Sequence, residues 1–296
     1  MVTSEGEASP SPLRRFRITG EDSGVWETVD SQSHPLVGQQ APPYDSCVDS
    51  AVIEVLLPLA FFAVALLYSS VGHAGATGYL ALMALAGLAP EVMRPTALVL
   101  NLAVASIAVV RFARAGQLPW RLLPLLLVTS VPAAFFAGSL NIPDQIYRPL
   151  LAVVLIVAAI RLTAYAQSDA STERATRTLG GPTSLMVGGA IGLLAGATGT
   201  GGGVFLTPLV IARRWASTRA AAGLSAGFIL ANSLAGIAAK PAALTLLPNS
   251  LPLALLCAAV GGLLGSELGA RRVSLNTLRR LLAAVMAIAA VRLLAG

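Results

Sequence analysis

Residues 192–210 read GLLAGATGTGGGVFLTPLV. An apolar run reaches Ala197, four glycines then fall within residues 199–203, and a second apolar piece follows at once. Each glycine weakens a helix by about 1 kcal/mol relative to alanine, so a helix entering this stretch breaks. A break at membrane depth is tolerated only where the backbone is buried in protein or lines a cavity. The letters AGATG occur here at 195–199 and once before at 74–78, inside SSVGHAGATG of residues 69–78. Two interrupted apolar segments, one in each half of the chain, set the frame for everything else.

The surroundings are lipid-like. Of 296 residues, 55% are hydrophobic and 11% charged, against about 25% charged in a soluble domain; mean hydropathy is +0.76. A span needs about 20 apolar residues. Long apolar runs lie at about 55–71, 95–112, 122–140, 149–164, 184–198, 220–239, 251–270 and 277–295, with short pieces at 76–90 and 203–212 after the two glycine turns. The count is eight segments if the short pieces are re-entrant and ten if they cross. The fold class is therefore all-α, a polytopic membrane helical bundle.

The 20 basic residues are all arginine except Lys240. They are spread through short loops, which argues against a nucleic-acid face and suits membrane orientation. Arg111, Arg114 and Arg121, then Arg161, Arg174 and Arg177, then Arg213, Arg214 and Arg219, then Arg271, Arg272, Arg279 and Arg280 mark four loops. If the short pieces cross, all four face one side, leaving only Arg94, Arg148, Lys240 and Arg292 near the other. The positive-inside rule thus favours ten elements. Five elements per half is an odd number, so the second half inserts upside down: two homologous halves, as inverted repeats with short half-helices. The division expected is a first repeat over 52–165, a cytoplasmic linker over 166–183 and a second repeat over 184–296.

Residues 1–51 carry eight carboxylates against three arginines and show no periodicity. They read as a disordered polar tail. Cys47 and Cys257 stand far apart, one in the tail and one in an apolar run, and suggest neither a disulfide nor a metal site. Gly188, Gly192 and Gly196, then Gly261, Gly265 and Gly269, and Ser130, Ala134 and Gly138 recur at every fourth residue. That spacing puts small residues on one helix face, where two backbones approach closely.

Each glycine turn is followed by a short helix whose first N–H groups are unpaired and whose dipole is positive, a setting for an anion. The candidate substrate-binding residues are Gly72, His73, Gly75, Thr77 and Gly78 in the first turn, and Thr198, Gly199, Thr200, Gly201, Gly202 and Gly203 in the second. As a rival reading, the glycines merely supply backbone angles for connecting turns. GATGTGGG lacks the Lys-Ser/Thr ending of a nucleotide loop. His73 is the only histidine beyond the tail; it either donates to an anion and carries a coupling proton, or simply bonds a nearby carbonyl. Asn101 and Asn232 each lie inside the long run after a short piece, and Ser106, Ser225 and Ser233 are likewise intramembrane polar residues. Glu267 reads as a partner of Arg271 one turn on, and Arg94 as a partner of Glu91. No nucleophile has an evident base, no metal or cofactor motif is present, and enzyme chemistry is not indicated.

The stretch SSVGHAGATGYLALMALAGLAPEVMRPTALVLNLAVASIAVVRFARAG, residues 69–116, resembles the first-half signature of the TauE/SafE sulfite exporter family. GLLAGATGTGGGVFLTPLV resembles its second-half glycine motif, including Pro208. The resemblance covers about residues 55–295 and leaves out the tail. It implies a membrane transporter of sulfite, sulfoacetate, thiosulfate or another small sulfur-containing or organic anion. The family's seven or eight spans, from a duplicated four-span unit, agree with ten elements only if the short pieces are half-helices. Ala74 stands where the family's first motif implies a second glycine. The expectation is a secondary transporter exporting a small oxyanion such as sulfite or an organosulfonate across the bacterial inner membrane by alternating access. The site would hold the anion without lysine or arginine. A passive anion channel, or a membrane-embedded enzyme or assembly subunit, is the alternative.

Overall fold

A computed structural model describes residues 50–70, 73–167, 180–270 and 276–295. Gly72 and nearly all of the polar tail lie outside these residues, as do Arg271, Arg272 and the middle of the linker. Ser50 and Ala51, assigned above to the tail, open the first helix.

The helices are α1 (Ser50–Ser70), α2 (Ala76–Leu85), α3 (Pro90–Arg114), α4 (Leu122–Ser139) and α5 (Asp144–Gln167) in the first half. The second half repeats the order with α6 (Gly181–Thr198), α7 (Gly203–Ala212), α8 (Thr218–Ala239), α9 (Leu251–Ala270) and α10 (Asn276–Ala295). A 3-10 turn, Pro241–Leu246, follows α8, and no strand occurs among the described residues. Pro90 sits in the first turn of α3, where its missing N–H costs nothing. Ser217 caps α8 by accepting from the Ala220 amide at 3.3 Å.

Among the described residues five helices, α3, α4, α5, α6 and α8, are long and apolar enough to cross a membrane. Helices α2 and α7 have ten residues each. Each therefore rises about 15 Å, half of a hydrocarbon core of about 30 Å. The short pieces are half-helices, each too short to span the core by itself, so the ten-element count holds only where a half-helix and its glycine turn pass the core together. Large apolar side chains face outward on the long helices, among them Val128, Phe136, Ile160, Leu256 and Val291. In water such a surface would aggregate; against lipid it is the ordinary exterior, and the chain is a polytopic membrane protein.

The halves interlock. The first helix of each rests on the fourth helix of the other, α1 on α9 and α6 on α4, while α3 pairs with α8 and α5 with α10. Glycine makes the two seams possible. A methyl group at Gly188, Gly192 or Gly196 would strike the carbonyl oxygens of Leu126, Ser130 and Ala134 in turn. One at Gly261 or Gly265 would strike those of Phe62 and Leu66. The four-residue glycine spacing is thus a backbone-to-backbone packing device. Gly192 and Gly196 lie against Ser130 and Ala134, the start of the matching small-residue stripe.

Candidate functional site

The second glycine turn joins α6 to α7 through three left-handed residues: Gly199 at φ +77°, Gly201 at +71° and Gly202 at +83°. Only glycine adopts these angles without strain. Thr198 is tied down on both sides. Its hydroxyl donates to the Leu194 carbonyl at 2.6 Å and lies 2.9 Å from the Thr200 hydroxyl, and its carbonyl accepts from Tyr147 Oη at 3.2 Å. Among the described residues no backbone carbonyl accepts from the N–H groups of Gly201, Gly202 or Gly203, the orphan donors of a helix amino end. Gly202 caps α7 without any side-chain bond.

Helices α3 and α8 close around this amino end. A methyl group at Gly201 would stand 3.1 Å from Asn101 Nδ2 on α3 and 3.2 Å from Ser233 Oγ on α8; one at Gly203 would stand 2.5 Å from Ser225 Oγ on α8. Asn101 Nδ2 donates to Ser233 Oγ at 3.4 Å. Asn101 Oδ1, Ser225 Oγ and, one turn into α7, Thr207 Oγ1 are buried with no protein partner. Leaving a buried polar atom unpaired costs about 1–3 kcal/mol, so two beside one helix end, Asn101 Oδ1 and Ser225 Oγ, mark a place where the chain holds polar groups ready rather than satisfied.

The first turn is built differently. Gly75, at φ +101°, opens α2, and two tyrosines fill the space around it. Tyr79 Oη donates to the Ala74 carbonyl at 2.9 Å, and Tyr68 Oη lies 2.7 Å from Thr77 Oγ1. A methyl group at Gly75 would meet the Tyr79 ring, and one at Gly78 would meet Val64 and Tyr68. His73 is buried, its ring edge-on to Tyr68 at 6.3 Å between centroids. The two turns thus have unlike surroundings: one polar and incompletely paired, the other packed with aromatic rings. Asn232 joins neither. Its Oδ1 accepts from Ser130 Oγ at 2.5 Å in the α4–α8 seam, and its Nδ2 is unpaired.

Arg94 is the residue that sequence reasoning placed wrongly. It does not pair with Glu91. Its Nη2 donates to the Gly196 carbonyl at 3.0 Å, and its guanidinium lies 5.6 Å from the Tyr147 ring centroid. A methyl group at Gly199 would meet the Arg94 backbone at 3.4 Å. Arg94 lines a cavity of about 310 Å³ together with Tyr147, Gly196, Leu98, Gly236 and Lys240. A cation therefore stands beside the second turn, which the local reading of Arg94 did not place there. The signal was present, because an arginine inside an apolar helix is a functional suspect by default; local spacing to Glu91 masked it. Glu267 pairs with Arg111 at 3.7 Å; Arg271, its expected partner, lies outside the described residues. Thr207, buried with an unpaired hydroxyl, was not singled out because nothing in TPLV distinguishes it from a threonine facing lipid.

A probable membrane transporter protein of Sinorhizobium fredii is 37% identical over 239 residues, covering 80% of this chain and 97% of that protein. No solved structure matches the chain. The family model described as sulfite exporter TauE/SafE matches residues 57–293, a range that takes in both glycine turns and all the helices around them, and the chain accordingly belongs to the TauE/SafE sulfite exporter family of multi-pass membrane transporters.

Proposed function

We propose that this transporter exports a small oxyanion, sulfite or an organosulfonate, across the bacterial inner membrane by alternating access, and that it binds the anion at the amino end of α7. The observation that carries the reading is the set of buried, unpaired polar atoms around that end. The orphan amides and the helix dipole favour negative charge. The Ser225 hydroxyl adds a donor, and no carboxylate is among the side chains that a methyl at Gly201, Gly202 or Gly203 would meet. An oxyanion leaving water needs such a ring of fixed donors, because burying a charge without hydrogen bonds is prohibitively costly.

On this reading the halves are inverted repeats. The turn of His73, Gly75, Thr77 and Gly78, with Gly72 before it, is the counterpart of the second turn, and Asn232 is the counterpart of Asn101. The tyrosine-filled first turn is then the closed side of the cycle, and His73 exchanges the coupling proton when that side opens. The common fold of the halves supports this: their helices follow one order and exchange partners alike.

The test is counterflow in proteoliposomes. Labelled sulfite or methanesulfonate should accumulate transiently against an unlabelled load, with saturable kinetics. Current that never saturates, with no counterflow, would replace the carrier with a channel. Chemical conversion of the anion would point to an enzyme.

A further inference from the structure

The cavity of Arg94 and the polar end of α7 lie on one line. On α3, Arg94, Leu98 and Asn101 are spaced four and three residues apart, which puts them on one helix face. On α8, Gly236 and Ser233, with Lys240 at the C-cap, run the opposite way with the same spacing. The contacts fix the register. Asn101 bonds Ser233, and a methyl group at Gly236 would meet Leu98 Cδ1 at 3.0 Å. One turn further, Arg94 and Lys240 both line the cavity, as do Leu98 and Gly236. Leu98 resting on Gly236 is therefore at once a wall of the cavity and the level just before Asn101 and Ser233. From Arg94 to Asn101 the rise along α3 is about 10 Å.

The charges in the cavity are held by neutral groups. Arg94, half-buried, spends one N–H on the Gly196 carbonyl and stacks on Tyr147. Lys240 donates to Asn141 Oδ1 at 2.7 Å. Two carboxylates also line the cavity. Asp144 is engaged by Arg148 at 3.7 Å, and Glu91 is solvent-exposed. Among the described residues neither Arg94 nor Lys240 has an acidic partner within ion-pair distance. A partly desolvated guanidinium with spare donors is suited to an oxyanion, which it meets with two parallel hydrogen bonds. Pro95, Ile142, Ile237 and Leu244 supply apolar wall, and the volume of about 310 Å³ falls at the lower end of small-molecule sites, about 300–1,000 Å³.

We propose that this cavity is a second anion site, an antechamber in which Arg94 and Lys240 capture a small organic or inorganic oxyanion, and that Leu98 on Gly236 is the constriction it passes to reach Asn101 and the α7 end. The passage rests on the transport reading above, but the capture does not.

The test reads charge selectivity rather than flux. In a background carrying Cys47→Ser and Cys257→Ser, Ile237→Cys reports the cavity and Ser233→Cys reports the far side of Leu98. Each is treated with two methanethiosulfonate reagents of similar size, one bearing a sulfonate and one a trimethylammonium group. Relative to a free thiol, Ile237→Cys should favour the anionic reagent by about tenfold, the low end of what charged clefts achieve. Adding Arg94→Gln should abolish that preference, Lys240→Gln should halve it, and Arg94→Lys should retain it. Methanesulfonate should slow the anionic reagent at Ile237→Cys. Leu98→Ala should speed modification of Ser233→Cys by about tenfold and leave Ile237→Cys unchanged. No anionic preference, or one indifferent to Arg94 and Lys240 alike, overturns the capture site. A Ser233→Cys rate unmoved by Leu98→Ala overturns the constriction. If saturable counterflow persists while these fail, the antechamber alone is wrong; if selectivity holds and counterflow fails, the carrier reading alone is wrong.

Discussion

Asn101 Nδ2 lies 3.4 Å from Ser233 Oγ, whereas Asn232, one residue earlier on α8, turns away to Ser130 on α4. Successive helical residues point about 100° apart, so neighbours on α8 serve different seams. Ser233 and Ser225 face the half-helix α7, and Asn232 faces α4. The polar residues of α8 therefore divide between a site and a helix joint, and substitutions should separate the two roles.

Ser225→Ala should make that separation plain. The hydroxyl is buried and unpaired, so its removal relieves a desolvation penalty of about 1–3 kcal/mol. Melting temperature in detergent should rise or hold. Anion counterflow should nevertheless fall by about tenfold, the equivalent of about 1.4 kcal/mol of lost binding. A variant that is both more stable and fully active would remove Ser225 from the site.

Gly192→Ala should act in the opposite sense. A methyl group there collides with the backbone of Ser130 across the α4–α6 seam, and backbone cannot step aside as a flexible side chain can. Overpacking of this kind costs about 1–3 kcal/mol. Gly181→Ala, where a methyl group meets nothing within 4 Å, is the control. Thermal unfolding of the two purified variants should differ clearly, with Gly192→Ala the lower.

The fold was legible because helix length and glycine spacing act locally. The sequence segment 203–212 is the helix Gly203–Ala212 to the residue, and 251–270 is the helix Leu251–Ala270. The seams were legible for the same reason, since glycine at every fourth residue has one geometric consequence. The site was only partly so. The second turn and Asn101 meet as expected, but Asn232 does not join them, and the two matching motifs acquired unlike linings because Tyr68 and Tyr79 fill one of them. Arg94 was misread because its partners, Gly196 and Tyr147, lie 102 and 53 residues away. Local spacing offers a nearby carboxylate, and only tertiary packing rejects it.

Glu267→Gln should change little. The carboxylate lies 3.7 Å from Arg111, with the two side chains 52% and 39% exposed. Arg111 keeps a 2.7 Å bond to Ser266 Oγ without it. Half-exposed pairs contribute about 0–1 kcal/mol, so melting temperature and counterflow should both stay near the unmodified values. A collapse of flux with intact folding would show that Glu267 takes part in transport after all.

Gly201→Ala and Gly116→Ala form the last test, because they share a backbone cost and differ in everything else. Gly201 has φ +71° and Gly116 φ +66°, so alanine at either place carries the left-handed penalty of about 1–2 kcal/mol. At Gly116 the new methyl group meets nothing within 4 Å. At Gly201 it arrives 2.9 Å from Ile229, 3.1 Å from Asn101 Nδ2 and 3.2 Å from Ser233 Oγ, filling the space beside the orphan amides of α7. Both variants should therefore lose stability to a similar first approximation. Only Gly201→Ala should also lose saturable anion counterflow and the stabilisation by added methanesulfonate that a bound ligand confers through mass action. Equal flux in the two variants would mean that glycine at 201 serves the turn alone, and the anion would have to be held elsewhere.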